Sequence, residues 1–419
     1  MCQHPTVATS AATATHQEVR SQFPALASGF AFFENAGGTQ LPNQVIDRMQ
    51  AHMAAGVGQI DAGYPASDRT TETTAAAKKF VNVLMNGEGV GETLIGPTTT
   101  DLLYRLGNAY AETIEPGDEI VVSVNNHEAN VTPWLRLEKA GAKVVLWGVD
   151  PETGESSYEE LGDLLGPRTR LVAVAHTSNV LGEIIDVRRV ADMAHAVGSQ
   201  VLVDGVAYAA HMAIDVKAWD ADFYAVSLYK VYGPHVAALF GKTDAWARLT
   251  GPNHEFVPSE VAMWKFELGS QPYEALAGVL GLADYLAFVA GRSEGSHDRD
   301  AVEAAFGAMR AFELPLQAQL LEYLNSKGQL RVLGPSDSGI NDRQPIVCFV
   351  HRFKDSKSLV GQVNDGTVGI RYGRMYAPRL CDALGVHEET GVVRVSAVHY
   401  NSPEEMSLLI DALEKSLVE

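Results

Sequence analysis

Asp204 and Lys230 are the residues of this 419-residue chain around which chemistry can be built. The stretch that carries them, QVLVDGVAYAAHMAIDVKAWDADFYAVSLYKVYGPHVAALFG (200–241), sets each at the carboxyl end of a short apolar run. QVLV and DFYAVSL are rich in Val, Tyr and Phe and bounded by Gly, Asp and Pro, the pattern of strands buried on both faces of a sheet. In open α/β sheets ligands settle in the crevice outside the carboxyl ends of the strands, so a carboxylate and an amine are expected to meet there. Pyridoxal 5'-phosphate requires that pair: a lysine amine to form a Schiff base, and a carboxylate to keep the pyridine nitrogen protonated so that the ring accepts electrons. Lys230 takes the first role in this reading and Asp204 the second.

Lys230 is boxed by Ser227, Tyr229, Tyr232, Gly233 and Pro234, a small and aromatic setting in which a solvated lysine gains little. SLYKVYGPH resembles the Schiff-base segment of class V aminotransferases and cysteine desulfurases, a branch of the fold-type I pyridoxal phosphate enzymes. VLVDGVAYAAH resembles their pyridine-binding strand, and the likeness continues in ordered motifs from about Phe33 to the C-terminal helix. It implies an α/β fold of the fold-type I transferase kind, a mostly parallel sheet flanked by helices with a smaller α+β domain. It also implies a homodimer with shared active sites that acts on a small amino acid.

Further site residues follow from local pattern and from the resemblance together. GPTTTDLLYRLGNAYAETI reads as a helix with Leu102, Leu103, Leu106, Ala109, Tyr110 and Ile114 on one stripe and Thr98 or Thr99 at its start. Unpaired amides and a partial positive charge at a helix start suit a phosphate, so Thr98, Thr99 and Ser227 are expected to cradle one, with Tyr229 beside them. The resemblance implies that His127, in EIVVSVNNHEANVTPW, stacks on the cofactor ring and that the Asn179 amide reaches its phenolic oxygen and the substrate carboxylate. It further implies that Arg394, in VVRVSAVHYNS, grips that carboxylate, which suits arginine's bidentate geometry. Ser270, in FELGSQPYEALAGVL, is expected to reach the phosphate of the neighbouring subunit. In FFENAGGTQLP, Gly37 and Gly38 follow a short apolar strand and are expected to let the backbone approach a ligand closely. Tyr64 and Arg69, in or beside the turn-rich DAGYPASDR loop, receive no role.

Two departures from the family pattern bear on the reaction. Persulfide-forming desulfurases carry a nucleophilic cysteine on a small-domain loop, and in GIRYGRMYAPRLCDALGV that position falls on Tyr376, which instead joins the substrate side of the pocket. Cys381 lies further on, in an apolar, helix-like stretch where packing is its expected fate. A phenol can neither attack as a thiolate nor hold a persulfide. The second departure is Ala207, which stands where desulfurases set a glutamine against the cofactor's phenolic oxygen. DGVAYAAH, DFYAVSLYKVYGPH and VRVSAVHYNS more closely resemble a desulfurase-like subgroup without the catalytic cysteine, similar to the decarboxylative aldolase of fungal ustiloxin biosynthesis. The expected activity proceeds through an external aldimine and a carbanion, with lyase-type carbon-sulfur or decarboxylative carbon-carbon chemistry ahead of transamination or epimerisation. A non-catalytic cofactor-binding protein is the remaining alternative, and a dinucleotide-dependent oxidoreductase is disfavoured because no GxGxxG follows the first strand.

Composition limits the partners. With 52 acidic against 32 basic residues the formal net charge is −20, which disfavours nucleic acid and anionic membranes. Cys2, Cys348 and Cys381 are too few and too scattered for a disulfide framework or a metal site, and a reducing, cytoplasmic setting fits. The leader MCQHPTVATSAATATHQEVR has no basic start followed by an apolar core and reads as a flexible tail, and no apolar run is long enough to span a bilayer. The length exceeds the usual size of one core. A large cofactor-binding domain over 26–284 and a small domain of 1–25 with 285–419 are expected. Helices are predicted over Val45–Ala55, Arg69–Met85, 186–198 and Ala301–Tyr323, and strands at KVVLWGV, LVAVAHTSNVLG and PIVCFVH. A last helix should be capped by Ser402, with Pro403 and Glu405 in its first turn.

Overall fold

The computed structural model describes residues 13–258, 261–335 and 343–418. β1 (Ala31–Phe32) precedes seven strands, β2 (Gly91–Gly96), β3 (Glu119–Ser123), β4 (Lys143–Trp147), β5 (Thr169–Ala175), β6 (Gln200–Asp204), β7 (Phe223–Ser227) and β8 (Ala237–Lys242), that form one sheet. Its order is β2-β8-β7-β6-β5-β3-β4, and only β8 opposes the rest. The remaining strands are β9 (Leu330–Val332), β10 (Ile346–His351), β11 (Val368–Gly369), β12 (Arg371–Gly373) and β13 (Val392–Ser396). β12, β13, β10 and β9 build a second sheet, and β11 pairs with β1.

Strand alternation explains why the large sheet is covered on both sides. Val121, Val172, Val174, Val201, Val203, Tyr224 and Val226 point into one core, whereas Ile120, Val122, Leu171, Ala173, Leu202, Phe223 and Ala225 point into the other. Successive side chains of a strand face opposite ways, so each strand must be apolar almost throughout. Helix 187–195 returns the chain from β5 to β6 with Val187, Val190, Ala191 and Ala194 buried, while Val197 lies beyond its end and is only half-buried.

Residues from both ends of the chain enter both the large and the small core. Ala31 and Phe33 pack into the core of the small sheet, because β1 pairs with β11 in register Ala31↔Val368. Val19 and Phe23 belong to the large core, as do Val289, Ala301, Val302, Ala305, Phe306 and Met309. Helix Arg299–Asn325 serves both, since Leu316, Leu320, Leu321 and Leu324 on its later turns enter the small core. The leader departs from expectation. Residues 1–12 lie outside the described residues, but His16–Ser21 is helical, started by a capping box in which Glu18 accepts from the Thr15 amide at 2.8 Å. Helix Pro403–Val418 begins as expected, with Ser402 Oγ accepting from the Glu405 amide at 3.2 Å and Glu405 returning to the Ser402 amide at 3.0 Å. Among the described residues no helix is long and apolar enough to cross a membrane.

Candidate active site

Adjacent parallel strands β5, β6 and β7 end side by side, with Ala175 opposite Asp204 and Asp204 opposite Ala225. β6 stops at Asp204 because its carboxylate turns back to accept from the Val206 amide at 3.0 Å, an aspartate turn of the kind that ends a strand. Gly205 is required next to it: a Cβ there would lie 2.1 Å from the Tyr224 ring. That ring is held in turn by His176, whose Nδ1 lies 2.8 Å from the Tyr224 hydroxyl and whose imidazole stacks on Tyr208 at 3.6 Å.

β7 runs on into a 3-10 turn, Leu228–Lys230, that carries the lysine. Thr39 fastens this turn at both ends. Its amide donates to the Tyr229 carbonyl at 3.1 Å, and its hydroxyl accepts from the Tyr232 amide at 2.9 Å. Tyr232 has φ of 61°, an uncommon conformation for a side chain of that size, and its hydroxyl is anchored on the Ala210 carbonyl at 2.7 Å. Tyr229 stacks on His235 at 4.2 Å.

Between these strand ends and helix Thr99–Ala111 lies a cleft of about 690 Å³, solvent at its mouth included. It brings together Thr98, Thr99, His127, Asn179, Asp204, Ala207, Ser227, Tyr229 and Lys230. A second chamber shares His127, Asn179, Tyr229 and Lys230 with it and adds Gly37, Arg371, Met375, Tyr376 and Arg394. Of the residues expected in the site, Gly38 and Ser270 line neither chamber, and Gly38 faces a separate groove. Ser270 is exposed, with its hydroxyl on Tyr273 at 3.2 Å and Gln59 at 3.3 Å.

The electrostatics follow from enclosure. Burial, then the Arg394 charge, pushes the Lys230 pKa down to about 8, with Asp204 and Glu34 opposing. Burial pushes Asp204 up from the usual carboxylate value, countered by the Val206 amide and Lys230. His127 is held down to about 4 by burial and by the positive charges of Lys230 and Arg394. The ring is therefore neutral near pH 7, and because Nδ1 accepts from the Ala129 amide at 3.0 Å its proton sits on Nε2. At the helix start, the Thr99 and Ser227 hydroxyls are 2.8 Å apart and Thr98 caps the helix through the Asp101 amide at 3.0 Å. The helix itself cannot pair its first amides.

In the outer chamber Arg394 is 4% exposed yet poorly paired. Its closest partners are the Asn179 carbonyl at 3.4 Å and Glu34 Oε1 at 3.5 Å, and its Nε has none among the described residues. Asn179 commits one amide hydrogen to the Met375 carbonyl at 2.6 Å and leaves its buried Oδ1 without a partner among the described residues. Tyr376 is 68% exposed, follows Met375 in a left-handed pair with φ of 51° and 55°, and sets its ring 5.3 Å from His127. Its carbonyl accepts from the Glu128 amide at 2.7 Å, and Arg379 reaches the Glu128 carboxylate at 2.7 Å, so the loop is tied to the large sheet's side of the cleft. Cys381 is fully buried in helix Pro378–Ala383, where burial pushes its thiol pKa up, and Cys348 is buried on β10 with its thiol pushed up to about 12.

Reading the sequence missed Arg371, which lines the outer chamber, and Glu34, which pairs with it at 3.0 Å. Gly37 lines the outer chamber as expected and has a further part there. A Cβ on Gly37 would lie 2.2 Å from Glu34 Oε1, so the glycine clears space for that carboxylate. The signals were present in FFENAGGT and GIRYGR, but nothing local in either stretch says that they meet.

A mostly parallel sheet with a lysine and a carboxylate at neighbouring strand ends defines a fold-type I α/β architecture. The model of the class V aminotransferases matches residues 31–409, and the chain belongs to that family. It is 37% identical to the aminotransferase-like protein FGM3 of Gibberella zeae over 96% of this chain and 98% of that protein. It is 32% identical to the cysteine desulfurase-like protein ustD of Aspergillus flavus, covering 95% and 90% of the two chains. Among solved structures, the cysteine desulfurase CsdA of Escherichia coli superposes with a TM-score of 0.82 at 25% identity, covering 97% of this chain and 99% of that one.

Proposed function

We propose that this chain is a pyridoxal phosphate-dependent enzyme acting on a small amino acid, with lyase-type chemistry and without a persulfide step. The observation that carries the reading is the placing of Lys230 and Asp204 in one cleft that opens onto the underpaired Arg394. The donor set suits the cofactor. Asp204 would hold a proton on the pyridine nitrogen, Lys230 would bind the aldehyde carbon, and His127 would lie against the ring. Thr98, Thr99 and Ser227 would take the phosphate at the helix start, with Ser270 of a second copy completing the cradle in a homodimer. The orphaned Asn179 Oδ1 and the small Ala207 side chain leave room and polarity at the inner wall.

Pyridoxal phosphate, when bound, supplies an electron sink that stabilises negative charge at the substrate's Cα. The chain's own residues do the rest. Arg394 and Asn179 hold the substrate carboxylate and thereby fix which Cα bond faces the lysine. With its pKa near 8, the Lys230 amine can take a proton from Cα and return it at neutral pH. Arg379 and Glu128 keep the Tyr376 loop over the mouth, where the phenol limits the side chains admitted.

No accessible thiol stands among the described residues to take up sulfur, since both cysteines there are buried with raised pKa. This supports elimination or decarboxylation over sulfur relay. Transamination and epimerisation would use the same residues. Incubating the purified protein with each amino acid and identifying products tests the reading. Cysteine should give sulfide and pyruvate or no reaction, whereas alanine formation that is lost in Cys381→Ser would contradict it.

A further inference from the structure

β12 and β13 set Arg371 directly opposite Arg394. Two like charges in that register repel, so the pair requires an anion between them. Glu34 supplies it, with the same oxygen 3.0 Å from Arg371 Nη1 and 3.5 Å from Arg394 Nη2. The first distance is a full ion pair and the second is at the limit of a hydrogen bond. Glu34 therefore already leans towards Arg371. The space its carboxylate fills exists because residue 37 lacks a Cβ. On its far side Glu34 also lines a separate groove with Phe30, Phe32 and Ile370, so the side chain has somewhere to move.

We propose that Glu34 is a resident carboxylate that occupies the two-arginine site in the free protein and yields Arg394 to the incoming substrate, remaining on Arg371 alone. The inference rests on the reading that Arg394 binds a substrate carboxylate. It makes Glu34 a specificity-determining residue. Without substrate the two guanidiniums and one carboxylate leave one positive charge, which a single substrate carboxylate neutralises. A second carboxylate on the side chain meets a site already balanced, so Glu34 disfavours dicarboxylic substrates.

Propionate is the probe, titrated calorimetrically into the protein as isolated, with whatever cofactor it carries. Glu34→Gln removes the competing charge, so propionate should bind about tenfold tighter or more, the scale of coupling between two ligands that compete for one site. Gly37→Ala, whose Cβ collides with Glu34 Oε1, should shift affinity in the same direction and provides the test if the first variant folds poorly. An affinity that falls or stays unchanged in both variants would overturn the proposal, because a glutamate that merely orients Arg394 predicts weakening. Arg394→Gln separates the two levels. Loss of propionate binding in that variant supports the underlying reading, and undiminished binding overturns that reading and the inference with it.

Discussion

Replacing Arg394 by glutamine should weaken substrate binding without weakening the fold. In the free protein the guanidinium is 4% exposed, and burial holds its pKa below the usual arginine value. Its partners stand at 3.4 and 3.5 Å and its Nε has none among the described residues. A buried charge so weakly paired contributes little to stability, because desolvation offsets most of what its contacts return. A substrate carboxylate would complete it. Losing a hydrogen bond to a charged group costs about 1.5 to 3 kcal/mol, so the apparent Kd or KM for the amino acid should rise about ten- to over a hundredfold. Thermal unfolding and spectral titration of one preparation give both quantities. The expected pair of results is an unchanged or slightly higher Tm with a large rise in Kd or KM. A Tm that falls while KM is unchanged would show that Arg394 is structural, and would refute the reasoning.

Two further outcomes follow from the site. Lys230 has its pKa lowered to about 8 from the ordinary lysine value, so its neutral, reactive fraction grows as pH rises through about 8 and is complete well above it. Uptake of pyridoxal phosphate by cofactor-stripped protein should accelerate from pH 6 to about 8 and level off beyond, and a rate still rising above pH 10 would mean that burial does not act on this amine. Gly205→Ala places a Cβ 2.1 Å from the Tyr224 ring behind Asp204. Overpacking of that kind costs about 1 to 3 kcal/mol, measurable by denaturant unfolding, and an unchanged midpoint would show that the Tyr224 and His176 pair can withdraw.

Asp204 and Lys230 were legible in the sequence because one closes and the other closely follows a strand whose residues are apolar on both faces, and that pattern is local. Helix 99–111 was legible from its apolar stripe, with its start narrowed to Thr98 or Thr99, and the structure makes Thr98 the cap. Glu34 was not, since its meaning arises from Arg371 and Arg394, more than three hundred positions away, and only the β12–β13 register brings them together. Helix Arg299–Asn325 carries apolar residues for two cores in turn, which a single sequence reads as one amphipathic stripe. The helical part of the leader was passed over because an Ala- and Thr-rich run hides the Thr15–Glu18 capping box that starts it. Ser270 lies outside the cleft of its own chain, and a role for it depends on a second copy that sequence reading can only infer.

Borohydride reduction of the purified protein followed by peptide mass spectrometry tests the central claim most directly. If Lys230 is the amine that binds the cofactor, the yellow colour is lost on reduction and one phosphopyridoxyl group appears on the peptide containing SLYKVYGPH. Modification of a different lysine, or a colourless protein that acquires no label after incubation with pyridoxal phosphate, would contradict the account.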